Sequence, residues 1–227
     1  IGITSKISVT DNFLDKMKKG DVIVVLGGVT YTFLIANNYI DVIQDKLEDL
    51  NKLLEDENVN EKIKKLIGIT DDDAKKLIGN SFAEWDQLGE QIIIAAKLIL
   101  KVRKENVKIL LPLDHTITNK APDRYGDLPE DADIKVYDKA IGINKEWFAV
   151  APGPKTLKLV CDEVKKSSMV LLAGPISIED ERLEKYSKSH KKLLAAIKKA
   201  KNNGAITIAA GGDTAAMVKE LKGDIVS

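Results

Sequence analysis

The chain has 227 residues, 44% of them hydrophobic and 31% charged, a composition that can close a full core in one large or two small globular domains. Lys+Arg and Asp+Glu both number 35, so no net field recruits nucleic acid or an anionic membrane, and neither is expected as a partner. The single Cys161 excludes an internal disulfide and fits a reducing compartment, and two histidines without a cysteine pair argue against a zinc site.

The chain opens at Ile1 without an initiator Met, which reads as a fragment or a processed chain. No basic-then-apolar leader is seen, so no signal peptide is expected and the location is expected to be cytoplasmic. Val9 to Met17 is predicted as a helix, closed by Lys18-Lys19-Gly20. Val22-Ile23-Val24-Val25-Leu26 is a continuous apolar run, the mark of a strand buried on both faces. It stops at Gly27-Gly28 and gives way to a helix carrying Tyr31, Phe33 and Leu34. From Tyr39 to Leu77 the pattern is helical throughout: Ile43, Leu47, Leu50 and Leu54 recur among charged residues, and Asp71-Asp72-Asp73 suit a first helical turn after Thr70. This segment, 40–77, reads as a helical insertion in an α/β domain.

A long amphipathic helix is predicted from Ala83 to Lys104, then a strand over Val107–Leu111 that Pro112 halts. The run Ile92 to Ala96 meets Lys97 before it could cross a bilayer. Residues 119–145, rich in Pro, Gly and Asp, read as loop or an edge excursion. Trp147–Val150 is a short strand, Gly153-Pro154 starts a helix to Lys166, and Met169–Leu172 is a strand that meets Ala173-Gly174-Pro175. A helix over Asp180–Lys201 precedes the last strand, Ala205–Ala209. Strands alternating with helices predict a three-layer α/β/α fold with a parallel sheet, Rossmann-like, and ligands in such sheets bind beyond the carboxyl ends of the strands. Four glycine-bearing stops fall at those ends: Gly27-Gly28, Gly153, Gly174 and Gly211-Gly212.

The last of these carries the most chemistry. In Gly211-Gly212-Asp213-Thr214 the glycines let a ligand approach the backbone, and Thr214 opens a helix whose unpaired N–H groups suit phosphate oxygens. Asp213 can hold a hard cation such as Mg²⁺. An ordinary βα turn with a helix cap fits the same four residues. The glycines do not follow the Gly-x-Gly-x-x-Gly spacing of a dinucleotide fold. His115 and His190 receive no chemical role, one at a strand exit and the other on a charged helix.

Taken together, these motifs resemble the C-terminal, nucleotide-binding half of phosphoglycerate kinase. The resemblance rests on Ser5-Lys6-Ile7, Asp11–Lys16, Gly27–Leu34, Ile78-Gly79-Asn80-Ser81, Val107–Asp114, Trp147–Pro154, Ala173-Gly174-Pro175 and Gly204–Ala215, in order along nearly all of the chain apart from the insertion. It implies one nucleotide-binding domain over 1–227 that takes Mg-ADP or Mg-ATP, in a family that moves a phosphoryl group between 1,3-bisphosphoglycerate and ADP. The phosphoglycerate-binding N-terminal half is then expected outside this chain. Carried over by position, Asp213 holds the metal, Thr214, Gly211 and Gly212 cradle phosphates, Lys6 contacts a phosphate, and Asp180 meets the ribose. Gly27, Gly28, Val150, Gly174, Pro175 and Ile178 line the nucleotide slot, with Phe82 where the family usually has leucine; for the apolar members, plain core packing fits as well.

Two departures bear on catalysis. The family carries a lysine where this chain has Gly2, and its Asn-Gly-Pro is Ala173-Gly174-Pro175 here. Loss of one charge-stabilising group costs about 10²–10³ in rate, so an impaired transferase is expected. The alternative is a catalytically inactive pseudoenzyme that serves as a structural or interaction module, with 40–77 docking a protein partner; the insertion reads equally as a solvated surface decoration.

Overall fold

The computed structural model describes residues 16–54, 58–81, 85–123, 127–177, 184–220 and 225, with the side chains of 184–187 left aside. The strands are β1 (Val22–Val24), β2 (Lys108–Leu110), β3 (His115–Thr118), β4 (Ile134–Tyr137), β5 (Phe148–Pro152), β6 (Met169–Ala173) and β7 (Ile206–Ala210). The helices are α1 (Thr30–Asn38), α2 (Ile40–Asp45), α3 (Leu47–Leu53), α4 (Val59–Ile67), α5 (Asp71–Ile78), α6 (Leu88–Lys104), α7 (Pro154–Val164), α8 (Glu184–Asn202) and α9 (Gly212–Glu220). Two pairs of strands are parallel, β1 with β2 and β6 with β7, each joined through helices, as an α/β fold requires. Among the described residues the strands form sheets of two, three and two rather than one continuous sheet. The expected excursion at 119–145 supplies β4, which pairs antiparallel with β3 from His115↔Tyr137 to Thr118↔Ile134.

The chain divides into two compact units, residues 1–111 with 140–149, and residues 112–139 with 150–227. The first is built on α6, whose Leu88, Ile92, Ile93, Ile99 and Val102 are buried. Helices α1 and α4 pack on it, and the segment 40–77 contributes to this core. Its Ile43, Leu50 and Ile63 are fully buried, and α2 and α4 both lie against α6. Where the sequence pattern predicts helices without boundaries, the described residues form four short ones, α2 to α5. Gly68 ends α4 in the left-handed region (φ 74°), and Ile69 N–H returns to the Lys64 carbonyl at 3.0 Å. Thr70 and Asp73 then form a capping box on α5: the Thr70 hydroxyl accepts from Asp73 N–H at 3.1 Å, while the Asp73 carboxylate accepts from Thr70 N–H at 3.2 Å. Of the helix expected over Val9–Met17, Lys16 and Met17 are not helical and residues 9–15 lie outside the described ones.

The Ile78-Gly79-Asn80-Ser81 motif is a seam inside this unit. A Cβ on Gly79 (φ 63°) would stand 2.4 Å from the Trp147 carbonyl, which accepts Asn80 N–H at 2.9 Å. Ala149 N–H donates to the Ser81 hydroxyl at 2.8 Å. That motif ties the backbone of this unit together.

In the second unit α7 packs on α8, and Leu157, Val160, Cys161, Leu193, Leu194 and Ile197 of the two helices are buried. Burial pushes the Cys161 thiol pKa up, and its Sγ donates to the Lys192 carbonyl, so it is a packed thiol and no nucleophile. β6 and β7 run in register from Met169↔Ile206 to Ala173↔Ala210 and end together.

Candidate functional site

The register of β6 and β7 decides where their turns fall. Ala173 pairs with Ala210, so Gly174 and Gly211 leave the two strands side by side. Both have positive φ, 99° and 96°, a conformation that side chains with a Cβ rarely adopt. Thr214, 1% exposed, accepts a hydrogen bond from Gly174 N–H at 2.7 Å through its hydroxyl, tying the two turns together. Its side chain is thus a brace between turns, which the sequence reading, with Thr214 as phosphate ligand, does not include.

What remains open at this point is the first turn of α9. The Gly211 carbonyl accepts the first helical bond, from Ala215 N–H at 3.0 Å, so the amides of Gly212, Asp213 and Thr214 lie where a helix has no internal acceptor for them. Gly211, Gly212 and Asp213 are exposed, and a Cβ on Gly212 would meet nothing within 4 Å. An exposed carboxylate beside amides that favour anions fits a Mg²⁺ chelated by phosphate: the ion takes one carboxylate, and phosphate oxygens and water fill its other positions. Among the described residues no group of three or more His, Cys, Asp or Glu could hold a metal ion.

The Gly153 stop, which looks the same in sequence, is different. Asp114, 1% exposed, sits across the start of α7: its carboxylate accepts from Lys155 N–H at 2.9 Å, Thr156 N–H at 2.8 Å and the Thr156 hydroxyl at 2.6 Å. The chain supplies its own anion at this helix start. A Cβ on Gly153 would lie 2.3–2.6 Å from that carboxyl group, so glycine is required by crowding here.

The other candidate positions divide as follows. Val150 is buried in β5 and Pro175 is half-buried in the turn after β6. Gly27 (φ 73°) and Gly28 belong to the first unit, where the Gly27 carbonyl accepts Thr30 N–H at 3.1 Å and the Thr30 hydroxyl donates back to the Val25 carbonyl at 2.8 Å. Lys6, Phe82, Ile178 and Asp180, like Gly2, lie outside the described residues. Two polar groups escaped the sequence reading. His190, on the charged helix α8, is 3% exposed and bonded to the turn after β6. Asp114 stood inside a matched motif without a role, and the acidic residue after a strand, followed later by Gly-Pro-x-Thr at a helix start, was the available signal.

A family model of phosphoglycerate kinase matches residues 2–225. The chain belongs to the phosphoglycerate kinase family. It is 29% identical over 218 residues to the phosphoglycerate kinase of Eremothecium gossypii, covering 96% of this chain and 40% of that protein. To the enzyme of Clostridium kluyveri it is 27% identical over 221 residues, covering 97% and 41%. The structure of phosphoglycerate kinase from Coxiella burnetii superposes with a TM-score of 0.65 at 21% identity, over 97% of this chain and 42% of that one, which shows the fold. The chain thus spans about two fifths of the length of the curated relatives it matches. No described helix is long and apolar enough to cross a membrane.

Proposed function

We propose that this domain binds a Mg²⁺–nucleoside diphosphate or triphosphate at the shared carboxyl end of β6 and β7. In the complete protein it would serve phosphoryl transfer between 1,3-bisphosphoglycerate and ADP at a reduced rate. The observation that carries the binding reading is the Thr214 hydroxyl on Gly174 N–H, which fixes two left-handed glycine turns beside an open helix start with Asp213 exposed in it. Amides of Gly212, Asp213 and Thr214 would hold phosphate oxygens, and Asp213 would orient the cation that neutralises them. The remaining phosphoglycerate-binding half belongs to the portion of the relatives that this chain does not cover.

A second reading, a pseudoenzyme that keeps nucleotide affinity without turnover, is favoured by one position in the site. Ala173, exposed at the end of β6, offers no polar group where the family resemblance calls for asparagine, and Gly2 replaces a lysine. Titration of Mg-ADP into the protein and into Asp213→Ala tests the shared binding claim. Tighter binding by the parent is expected; equal affinity removes Asp213 from the metal role, and absence of binding in both ends the nucleotide reading. A coupled assay on the complete polypeptide separates the two readings: turnover at ordinary kinase rates, about 1–100 s⁻¹, ends the pseudoenzyme reading.

A further inference from the structure

The turn that leaves β6 is gripped at both ends. At Gly174 the grip is the Thr214 hydroxyl; at Ile176 and Ser177 it is the imidazole of His190, on the second turn of α8. Ile176 N–H donates to His190 Nε2 at 3.2 Å, and Ser177 Oγ lies 3.2 Å from Nδ1. An imidazole nitrogen that accepts a hydrogen bond carries no proton, so in the neutral ring the proton is on Nδ1 and is donated to Ser177 Oγ. Both turn residues and the ring are buried, at 5%, 8% and 3% exposure. A buried amide of this kind costs free energy when its acceptor is lost, because water cannot replace it.

We infer that His190 is a positioning residue of the nucleotide site: its unprotonated Nε2 holds the Gly174–Ser177 turn in the conformation that receives the nucleotide. The inference rests on the nucleotide reading of the β6–β7 ends and assigns the turn's geometry to a hydrogen-bond acceptor on α8. His190 touches no ligand itself. Where the turn is held in place only part of the time, apparent affinity falls in proportion to the competent fraction.

The role needs an acceptor at one point in space, not merely a filled volume, and that separates it from core packing. Leucine fills the volume and accepts nothing. The side-chain oxygen of glutamine reaches about as far as Nε2 and accepts from the same amide. Mg-ADP titration of the parent chain, His190→Leu and His190→Gln should therefore show affinity weakened about tenfold by leucine, the scale set by one buried N–H without its acceptor. Glutamine should restore it to within about threefold of the parent. In the parent chain, ¹⁵N spectra of the ring should place the proton on Nδ1.

Equal Mg-ADP affinity in the parent and the leucine variant overturns the inference and leaves the nucleotide reading standing. No Mg-ADP binding by the parent overturns the nucleotide reading and this inference with it. Should His190→Leu not fold, the other two measurements decide. A folded glutamine variant that binds about tenfold more weakly overturns the assignment, as does a ring proton on Nε2.

Discussion

Two helix starts in the second unit answer the same electrostatic demand in opposite ways. At α7, the chain closes the start with the Asp114 carboxylate and crowds Gly153 against it. At α9, Gly212 faces open space, Asp213 is exposed, and the nearest hydroxyl, on Thr214, is turned to the neighbouring turn. In sequence both are a strand, glycine and a helix. The difference teaches that a glycine stop stays open to a ligand only where the protein has not already furnished the anion, and that the residue which decides this can be forty positions away.

The strongest way to break the comparison is Asp114→Ala. It leaves the Lys155 amide and the buried Thr156 amide without an acceptor and should cost about 3 kcal/mol in urea unfolding. A loss under about 1 kcal/mol would mean that α7 does not depend on its internal anion. Glycine replacement should then give opposite signs at the two starts. Gly153→Ala should destabilise by about 1–3 kcal/mol through overpacking against Asp114. Gly212→Ala, at a helical position with room for a methyl group, should be neutral or stabilise by about 0.5 kcal/mol. Equal losses in thermal unfolding would make the two turns the same device after all.

The smallest effect concerns a third helix start, that of α5, which is closed by its own capping box. The Thr70 hydroxyl, then the Lys76 ammonium, holds the Asp73 carboxyl down to about 2 from its usual 3.8. A carboxyl lowered on folding stabilises when ionised, so its contribution is complete above about pH 4 and is lost as pH falls through about 2. Comparing Asp73→Asn with the parent across that range should show stability curves that differ near neutrality and meet below pH 2. Curves that stay apart there would assign the effect to something other than this ionisation.

The fold was legible where apolar runs are long. The strands that became β1, β2, β5, β6 and β7 and the helices α6 and α7 lie within a few residues of their predicted spans, because uninterrupted apolar runs that stop at turn residues are a strong local signal. Burial on both faces does not follow from it, since Met169, Leu171, Ile206 and Ile208 of β6 and β7 are exposed. Segment 40–77 was legible as helical, but what its apolar side packs against was not. Periodicity shows which side of a helix is greasy, and the partner that covers it, here α6, is chosen by tertiary packing. β4 was invisible because Ile134-Lys135-Val136-Tyr137 is a short, half-exposed edge. At the site, glycine and Asp213 could be read from local spacing. The Asp114 plug, the Thr214 brace and the His190 clamp could not, since each joins residues 13 to 42 positions apart.

The seam at Gly79 has a consequence for how the chain reaches its folded state. Residues 140–149 complete the first unit, yet they emerge after residues 112–139, which belong to the second. A nascent chain that has just cleared Leu111 already carries α6 and the insertion but still lacks the Trp147 carbonyl and the Ala149 amide that close the Ile78–Ser81 edge. The two units are therefore interleaved in time as well as in sequence. Closing the Ile78–Ser81 edge joins residues 68 positions apart, so that edge waits for a segment made long after it.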